Sequence, residues 1–479
     1  MIGIILNDNG YEQDIRELLM AFFPGKTFVH QWQEGLDVCM EGAVCEERQG
    51  FSMEVSRREP ESRISRLVQV AYDDRSVAKN RIKQELYRIL AEMTGRQLPW
   101  GSLTGIRPAK IAMTKLEEGL SEEEIYHYMK ETYFASDDKI RLCIQTARRE
   151  RELLSGLDYE KGYSLYVGIP FCPTTCLYCS FTSFPIGKWA GRTGLYLDAL
   201  EKELNYVAAR KQGSTLDTVY IGGGTPTSLS PEDLKRLLGK LRSTFDFSGV
   251  REFTVEAGRP DSITPEKLAV LKEYGVSRIS INPQTMKQET LDLIGRRHTV
   301  EDVRQQFHLA RELGFDNINM DLIIGLPEEG LEDVRATMEE IAGLGPDSVT
   351  VHSLAIKRAA RLNTMKEVYK DLKITGTQEM IDLTSDYARQ MGLEPYYLYR
   401  QKNMAGNFEN VGYAAPGKAC IYNVLIMEEK QTIIGCGAGT STKRVIPGEN
   451  RIERCENVKE VAQYIERIDE MIGRKEKLL

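Results

Sequence analysis

The chain has 479 residues, of which 41% are hydrophobic and 28% charged, a composition typical of a globular protein with more than one domain. Its 63 basic and 71 acidic residues give a formal net charge of −8, which argues against broad nucleic-acid binding because that needs a clearly basic face. The first residues lack the basic segment of a signal peptide, and no apolar run is long enough to cross a bilayer. We therefore expect a cytoplasmic protein without a membrane span.

Residues 1–155 are predicted to form a separate α/β and helical module. A short apolar segment such as Ile2–Leu6 is typical of a strand, and Val77–Met93 has the period of a helix. A longer helical stretch, Ile111–Leu153, follows. The loop between them, Trp100–Pro108, has no interpretation from its residues alone.

The central region, residues 160–370, alternates six apolar strands with charged, helix-periodic segments. The predicted strands are Ser164–Ile169, Thr218–Gly222, Phe253–Glu256, Arg278–Asn282, Asn317–Ile324 and Ser348–Leu354. Ser230, Thr264 and Thr299 stand where hydroxyl caps begin helices. The alternation predicts parallel βα units that close into a full or partial barrel. Residues 371–479, with helices at Thr377–Gln390 and Val458–Lys477, are predicted to form a carboxyl-terminal α+β domain.

Three of the nine cysteines, Cys172, Cys176 and Cys179, cluster directly after the first strand of this region. Active sites of barrels lie at the carboxyl ends of the strands. Three thiolates holding a [4Fe–4S] cluster leave one iron without a protein ligand, and that iron can chelate the amino and carboxylate groups of S-adenosylmethionine. A structural zinc site is the alternative, but it usually needs a second ligand pair. The other six cysteines have no pairing pattern and are expected to be buried apolar residues.

Polar residues also end or occupy the later strands. Gly222–Pro226 closes the second strand, and glycine N–H groups in such a turn can hold a carboxylate. Glu256, Gln284, Asp321 and His352 occur on the next four strands. Together these residues predict a polar ring around one ligand.

These motifs are similar to those of a known family. The pattern Tyr-x-x-Ile-Pro-Phe-Cys-x3-Cys-x-Tyr-Cys, the turn GGGTPT and the segment Asp321–Pro327 resemble the oxygen-independent coproporphyrinogen III oxidases of the radical S-adenosylmethionine (SAM) enzymes. Trp100–Pro108, Val351–Arg358 and Pro395–Met404 resemble the HemZ-type branch, the coproporphyrinogen dehydrogenases. The resemblance implies an α/β fold with a partial (β/α)6, TIM-like barrel.

The resemblance also implies roles for individual residues. Cys172, Cys176 and Cys179 would bind the cluster, and Tyr166 would lie beside the sulfonium of S-adenosylmethionine. The other implied cofactor contacts are Phe181, Gly222, Gly223, Gly224, Thr225 and Glu256, with Gln284 and Asp321 for the ribose and Arg296 for the carboxylate.

The implied chemistry is reductive cleavage of S-adenosylmethionine to a 5′-deoxyadenosyl radical, which abstracts hydrogen from the β-carbon of a propionate. Loss of carbon dioxide and one electron leaves a vinyl group, and two such events convert coproporphyrinogen III to protoporphyrinogen IX. We expect an electron donor such as flavodoxin or ferredoxin, and a monomeric protein. Arg107, Lys357, Arg358 and Arg400 are candidate partners of the propionates, although surface charge is the simpler interpretation.

Two positions depart from the oxidase pattern. Phe181 stands where the oxidases carry a fourth cysteine, and Gly168 stands where they carry a histidine. A haem-binding chaperone, or another tetrapyrrole-acting radical SAM protein without decarboxylase activity, is therefore the alternative. A chaperone needs an axial iron ligand, for which His298 and His352 are candidates.

Overall fold

The computed structural model describes every residue except 46–49, 71, 356–359, 366–368, 370, 402–407, 447 and 450. The chain divides into two compact units. The first comprises residues 1–148 and 399–409, and the second comprises residues 149–398 and 410–479. The finer boundaries expected near residues 155 and 370 stay predictions.

The first unit contains a five-stranded sheet in the order β2-β1-β3-β4-β5. Its strands are β1 (Ile2–Leu6), β2 (Phe28–Val29), β3 (Val38–Cys45), β4 (Gly50–Arg57) and β5 (Ser62–Gln69). Its helices are α1 (Glu12–Phe22), α2 (Arg75–Thr94), α3 (Pro108–Glu117), α4 (Glu122–Tyr133) and most of α5 (Asp137–Leu154). The apolar faces of α1 and α2 join the buried sheet residues in one core.

The loop at Trp100 is a buried part of this unit. The Trp100 side chain is fully buried, and its Nε1 donates to Glu409 Oε2 at 2.8 Å. Glu409 also forms a buried ion pair with Lys139. The guanidinium of Arg400 lies 5.2 Å from the Trp100 ring centroid and donates to the Leu103 carbonyl at 2.7 Å. Arg400 is therefore a buried packing residue of the first unit, and its interpretation as a surface charge is wrong.

The second unit is built on an eleven-stranded sheet in the order β14-β15-β13-β12-β11-β10-β9-β6-β16-β17-β18, with β7-β8 apart from it. The strands are β6 (Tyr163–Ile169), β7 (Phe171–Cys172), β8 (Phe184–Pro185), β9 (Leu216–Gly223), β10 (Glu252–Glu256), β11 (Arg278–Ser280), β12 (Ile318–Ile324), β13 (Ser348–Ser353), β14 (Glu394–Tyr399), β15 (Asn410–Ala414), β16 (Thr432–Cys436), β17 (Ser441–Ile446) and β18 (Arg451–Glu456). The helices are α6 (Thr193–Arg210), α7 (Pro231–Thr244), α8 (Pro265–Glu273), α9 (Gln288–Leu293), α10 (Val300–Glu312), α11 (Leu331–Leu344), α12 (Arg361–Thr364), α13 (Gln378–Gln390), α14 (Ile421–Glu428), α15 (Val461–Glu466) and α16 (Ile468–Glu476).

The middle of this sheet is the predicted barrel. Strands β6 and β9 to β13 pair in parallel with their neighbours in chain order, and helices connect them. This confirms the partial (β/α)6 barrel. Strand β16 adds a seventh parallel strand beside β6, and β15 pairs antiparallel with β13. The carboxyl-terminal strands therefore extend the barrel sheet at both edges.

The predicted helix starts are confirmed. Ser230 accepts a hydrogen bond from the Asp233 amide at the start of α7, and Thr299 forms a capping box with Asp302 at α10. The predicted final helix is two helices, α15 and α16, which meet at Arg467. Across the described residues, no helix combines the length and apolar character that a bilayer crossing requires.

Candidate active site

The three clustered cysteines lie in a loop at the carboxyl end of β6. Cys176 is 8% exposed, and Cys172 and Cys179 are partly buried. Burial, helped by the neighbouring Cys176 and Cys179, raises the pKa of Cys172 to about 11. The pKa of Cys179 is also raised, first by burial. The loop therefore gathers three thiols in one sheltered place.

Hydrogen bonds hold this cysteine loop against the end of α9. The Leu177 amide donates to the Ile294 carbonyl at 2.9 Å, and Thr174 Oγ1 donates to the Gly295 carbonyl at 3.0 Å. Tyr178, the aromatic residue before the third cysteine, accepts a hydrogen bond from Arg296 Nη1 at 3.2 Å. The loop is thus positioned by residues more than a hundred positions away in the chain.

Arg259, which the sequence did not single out, contacts the cysteine loop directly. Its side chain is 4% exposed and forms two parallel hydrogen bonds to Asp261, at 2.9 and 2.7 Å. Its Nη1 donates to Thr174 Oγ1 at 3.1 Å and to Cys176 Sγ at 3.4 Å. The sequence signal that could have identified Arg259 is an arginine two residues before an aspartate, just after a barrel strand.

The glycine turn after β9 packs tightly against the start of the cysteine loop. The Gly224 amide donates to the Ile169 carbonyl at 2.8 Å, and the Thr225 amide donates to the Phe171 carbonyl at 2.7 Å. A Cβ on Gly224 would lie 2.5 Å from the Phe171 carbonyl oxygen. The amides of Gly224 and Thr225 are thus already bonded within the chain. The expected contact of this turn with the cofactor stays a prediction.

Glu256 ends β10 inside the barrel, beside a stack of three tyrosines. Tyr220 donates to Glu256 Oε1 at 2.7 Å. Burial raises the pKa of Glu256 to about 7, against the lowering effect of the Tyr220 hydrogen bond. The Tyr220 ring stacks on Tyr166 at 5.9 Å and on Tyr422 at 4.6 Å between centroids. Tyr220 and Tyr422 were not predicted, since a tyrosine on a strand or helix is usually packing.

Gln284, which follows β11, contacts Asp321 in the middle of the neighbouring strand β12. Gln284 has a φ of +70°, its amide donates to the Asp321 carbonyl at 3.0 Å, and its buried Oε1 has no hydrogen-bond partner in the described part of the chain. Asp321 Oδ1 accepts from Asn319 at 2.7 Å, and its Oδ2 lies 3.9 Å from His352 Nε2. Burial raises the pKa of Asp321, but the nearby His352 and the Asn319 hydrogen bond outweigh burial and bring this pKa below its ordinary value.

Arg296 is buried and already engaged by the protein. Its Nη2 donates to the carbonyls of Gly258 and Asn282, each at 2.7 Å, and its Nε donates to His298 Nε2 at 2.9 Å. With the bond to Tyr178, four of its five N–H groups have partners. Its expected contact with the S-adenosylmethionine carboxylate stays a prediction.

His298 has both ring nitrogens in contact with the protein, at Arg296 and at the Thr299 carbonyl. Burial lowers its pKa to about 4, so the ring is neutral at physiological pH. It is 1% exposed. As an axial iron ligand it would have to leave these contacts, so the geometry favours a structural role.

The structure shows the surroundings of Phe181 and Gly168, the two positions that depart from the oxidase pattern. Phe181 is 72% exposed, and its expected contact with the cofactor stays a prediction. A Cβ on Gly168 would lie 2.5 Å from Thr440 Cγ2, in the turn between β16 and β17. The chain thus leaves no room for a larger side chain at residue 168 unless this turn moves.

The remaining candidates lie elsewhere or outside the described residues. Tyr396 and Tyr397, in the segment that resembles the HemZ-type branch, are buried, and their rings pack against each other at 5.1 Å between centroids. Lys357 and Arg358 fall outside the described residues.

The donor set fits a thiolate-bound cluster and an adenosine-bearing cofactor. Three neighbouring thiols offer soft sulfur ligands, and the unpartnered Gln284 Oε1 offers a buried acceptor for a hydroxyl group. Among the described residues, no three His, Cys, Asp or Glu side chains converge like ligands of a single ion. Cysteines of an iron–sulfur cluster each bind a different iron, so they are spaced more widely.

Comparisons with known proteins agree with this geometry. The model of the radical SAM superfamily matches residues 166–341. The chain is 43% identical over 408 residues, 84% of its length, to a Bacillus subtilis oxygen-independent coproporphyrinogen-III oxidase-like protein, HemZ, of which it covers 81%. It is 40% identical over 195 residues to the Bacillus subtilis haem chaperone HemW, covering 40% of this chain and 51% of that one. The solved structure of the Escherichia coli coproporphyrinogen III oxidase HemN is similar, with a TM-score of 0.53 and 26% identity over 67% of this chain and 72% of that chain.

The barrel and its cysteine loop thus define a radical SAM protein, with a [4Fe–4S] cluster and S-adenosylmethionine as cofactors. Within that class, the chain belongs to the oxygen-independent coproporphyrinogen III oxidase-like family, in its HemZ-type branch.

Proposed function

We propose that this protein oxidatively decarboxylates two propionates of coproporphyrinogen III to vinyl groups and so makes protoporphyrinogen IX without oxygen. The observation that carries the proposal is the similarity to the HemZ oxidase-like protein, which extends over 84% of the chain and includes both units. Similarity to haem chaperones named HemW spans less of the chain, from 40% for the Bacillus subtilis protein to 59% for the Lactococcus lactis protein.

The proposed reaction assigns tasks to the residues of the barrel mouth. When bound, the cluster and S-adenosylmethionine would supply a carbon radical for abstraction of a propionate β-hydrogen. Loss of carbon dioxide, with transfer of the remaining electron to a one-electron acceptor, would then give the vinyl group. Cys172, Cys176 and Cys179 would hold the cluster. Glu256 would bind the methionine end of the cofactor, and the free Oε1 of Gln284 is suited to accept a ribose hydroxyl hydrogen bond.

Tyr166 and Asp321 complete the proposed cofactor site. Tyr166 is held by its stack on Tyr220 and Tyr422, so its ring is fixed before the cofactor arrives. Asp321 is ionised because its neighbours lower its pKa, so it is a strong acceptor for the second ribose hydroxyl. An electron donor such as flavodoxin or ferredoxin would reduce the cluster.

The test is an anaerobic assay of cluster-reconstituted protein with dithionite, S-adenosylmethionine and coproporphyrinogen III, with products identified by mass. We expect protoporphyrinogen IX together with 5′-deoxyadenosine. The C172A/C176A/C179A triple variant is the matched control and should give neither product. Cofactor cleavage without loss of carbon dioxide would refute the proposed substrate and leave the radical SAM assignment in place.

Haem delivery is the second candidate, and the HemW similarity favours it. Of the two candidate axial ligands, His298 is engaged on both ring nitrogens, while His352 has a 26% exposed side chain beside Asp321. Titration of the protein with haem, followed by absorption spectroscopy, tests this candidate. Stoichiometric haem binding that is lost in H352A, with no decarboxylation, would favour the chaperone.

A further inference from the structure

Arg259 and Asp261 form a charged pair directly beside the cysteine loop. The arginine side chain is 4% exposed and the aspartate 18%, and two parallel hydrogen bonds fix the plane of the guanidinium. The pair leaves Nη1 pointing away from Asp261, toward the loop. A residue held this firmly is positioned before any cofactor binds.

The contacts of Nη1 are all in the cysteine loop. It donates to Thr174 Oγ1 at 3.1 Å and to Cys176 Sγ at 3.4 Å, and it lies 3.5 Å from the Thr174 carbonyl oxygen. Thr174 in turn donates to the Gly295 carbonyl. One buried cation therefore contacts both the loop backbone and one of its three sulfur atoms.

We propose that Arg259 is a positioning residue that holds Cys176 in place and, through its N–H···S hydrogen bond, raises the reduction potential of the bound cluster. The reduced cluster carries one more negative charge than the oxidised cluster. Hydrogen bonds to cluster sulfurs and a nearby positive charge stabilise the more negative state, and thereby raise the potential. This inference concerns the cluster and does not depend on which tetrapyrrole is the substrate.

Asp261 has the opposite effect on the reduction potential of the bound cluster. Its carboxylate orients Arg259, and its negative charge also offsets part of the cation's effect on the cluster. An asparagine at residue 261 would keep an oxygen for the arginine and remove that negative charge. The two substitutions should therefore move the potential in opposite directions.

The experiment is a reductive titration of reconstituted full-length protein without substrate, followed by electron paramagnetic resonance, with iron content measured in parallel. We expect R259Q to make the potential more negative than that of the unsubstituted protein. The potential of R259K should lie between those of R259Q and the unsubstituted protein. Its ammonium keeps the positive charge but cannot bond Asp261 twice and also reach the sulfur. D261N should make the potential less negative.

Arg311→Gln is the matched control. Arg311 also pairs with an aspartate in the same unit, Asp347 at 2.7 Å, and its other hydrogen bonds go to the carbonyls of Phe315 and Gly345. R311Q should leave the potential unchanged.

If R259Q does not retain four irons, R259K and D261N decide the question. An unchanged potential in fully loaded R259Q, or a D261N potential that does not rise, would overturn the proposal.

Discussion

At the scale of single residues, burial decides which polar groups are available to a ligand. Glu256 and Asp321 are both carboxylates on barrel strands, yet burial raises the pKa of the first while the neighbouring His352 and Asn319 lower that of the second. One of the two is therefore close to titrating at neutral pH, and the other is ionised.

Glu256 makes the free energy of unfolding depend on pH. Its pKa rises from 4.5 to about 7 on folding, so the folded state favours the protonated carboxyl, and stability is lost as pH increases from 4.5 to 7. Relative to E256Q, the cofactor-free protein should lose roughly 2–3 kcal/mol between pH 5 and pH 8. Urea unfolding of both proteins at the two pH values measures this difference. If the two proteins differ in free energy of unfolding by the same amount at both pH values, the Glu256 carboxyl does not titrate in this range.

The cluster assignment is tested at the three cysteines. The C172A/C176A/C179A variant should lose the iron–sulfur absorption and bound iron, because no other soft ligands lie in the loop. C455A is the control, since Cys455 is on β18 and outside the loop. Iron analysis and absorption spectroscopy after reconstitution check the result. Full iron in the triple variant would contradict the assignment.

At the scale of elements, close backbone contacts shape the site more than helix propensity does. The turn after β9 and the start of the cysteine loop touch through main-chain atoms, and only glycine leaves enough room at residue 224. Tyr422, at the start of α14, enters the tyrosine stack because Glu252 binds the Ile421 amide at 2.6 Å and caps that helix.

Gly224→Ala should destabilise the turn by about 1–3 kcal/mol, because the new Cβ would overlap the Phe171 carbonyl oxygen. It should also weaken S-adenosylmethionine binding, since the turn must shift. Gly343→Ala, on α11 with nothing within 4 Å of its new Cβ, is the control and should be neutral or stabilise by up to ~1 kcal/mol. Calorimetric binding and urea unfolding test both variants. Equal behaviour of the two would refute the tight contact.

At the scale of the whole molecule, the second unit is closed by a buried ion pair between α6 and α16. Lys475 Nζ lies 2.7 Å from Glu203 Oε1, and both side chains are at most 1% exposed. Glu203 also accepts from Tyr464 at 2.6 Å and from the Gly437 amide at 2.7 Å. The last helix is thereby joined to the first barrel helix.

Lys475→Met should cost about 3–5 kcal/mol, because it leaves the Glu203 carboxylate buried without its cation. Lys477→Met, at an exposed position on the same segment, should change stability by less than about 0.5 kcal/mol. Urea unfolding of both variants and of the unsubstituted protein, followed by circular dichroism, measures these changes in stability. A small loss in K475M would show that Tyr464 and Gly437 are sufficient to hold the carboxylate.

The sequence by itself determined the local features: the barrel strands, their helix caps, the three cysteines and the family. Such features depend on the alternation of apolar strands with charged helical segments, on capping hydroxyls and on short motifs. Residues that are close together in the chain encode all three. Only the tertiary structure decided which groups are free to act. It joined Arg259 to Cys176, Tyr422 to Tyr220 and Trp100 to Glu409, and it showed that the Gly224 and Thr225 amides and most of Arg296 are already bonded. Hydrogen bonding and burial bring together residues that are distant in the chain. Which polar groups are free and which are bonded therefore depends on tertiary packing, which local sequence patterns do not encode.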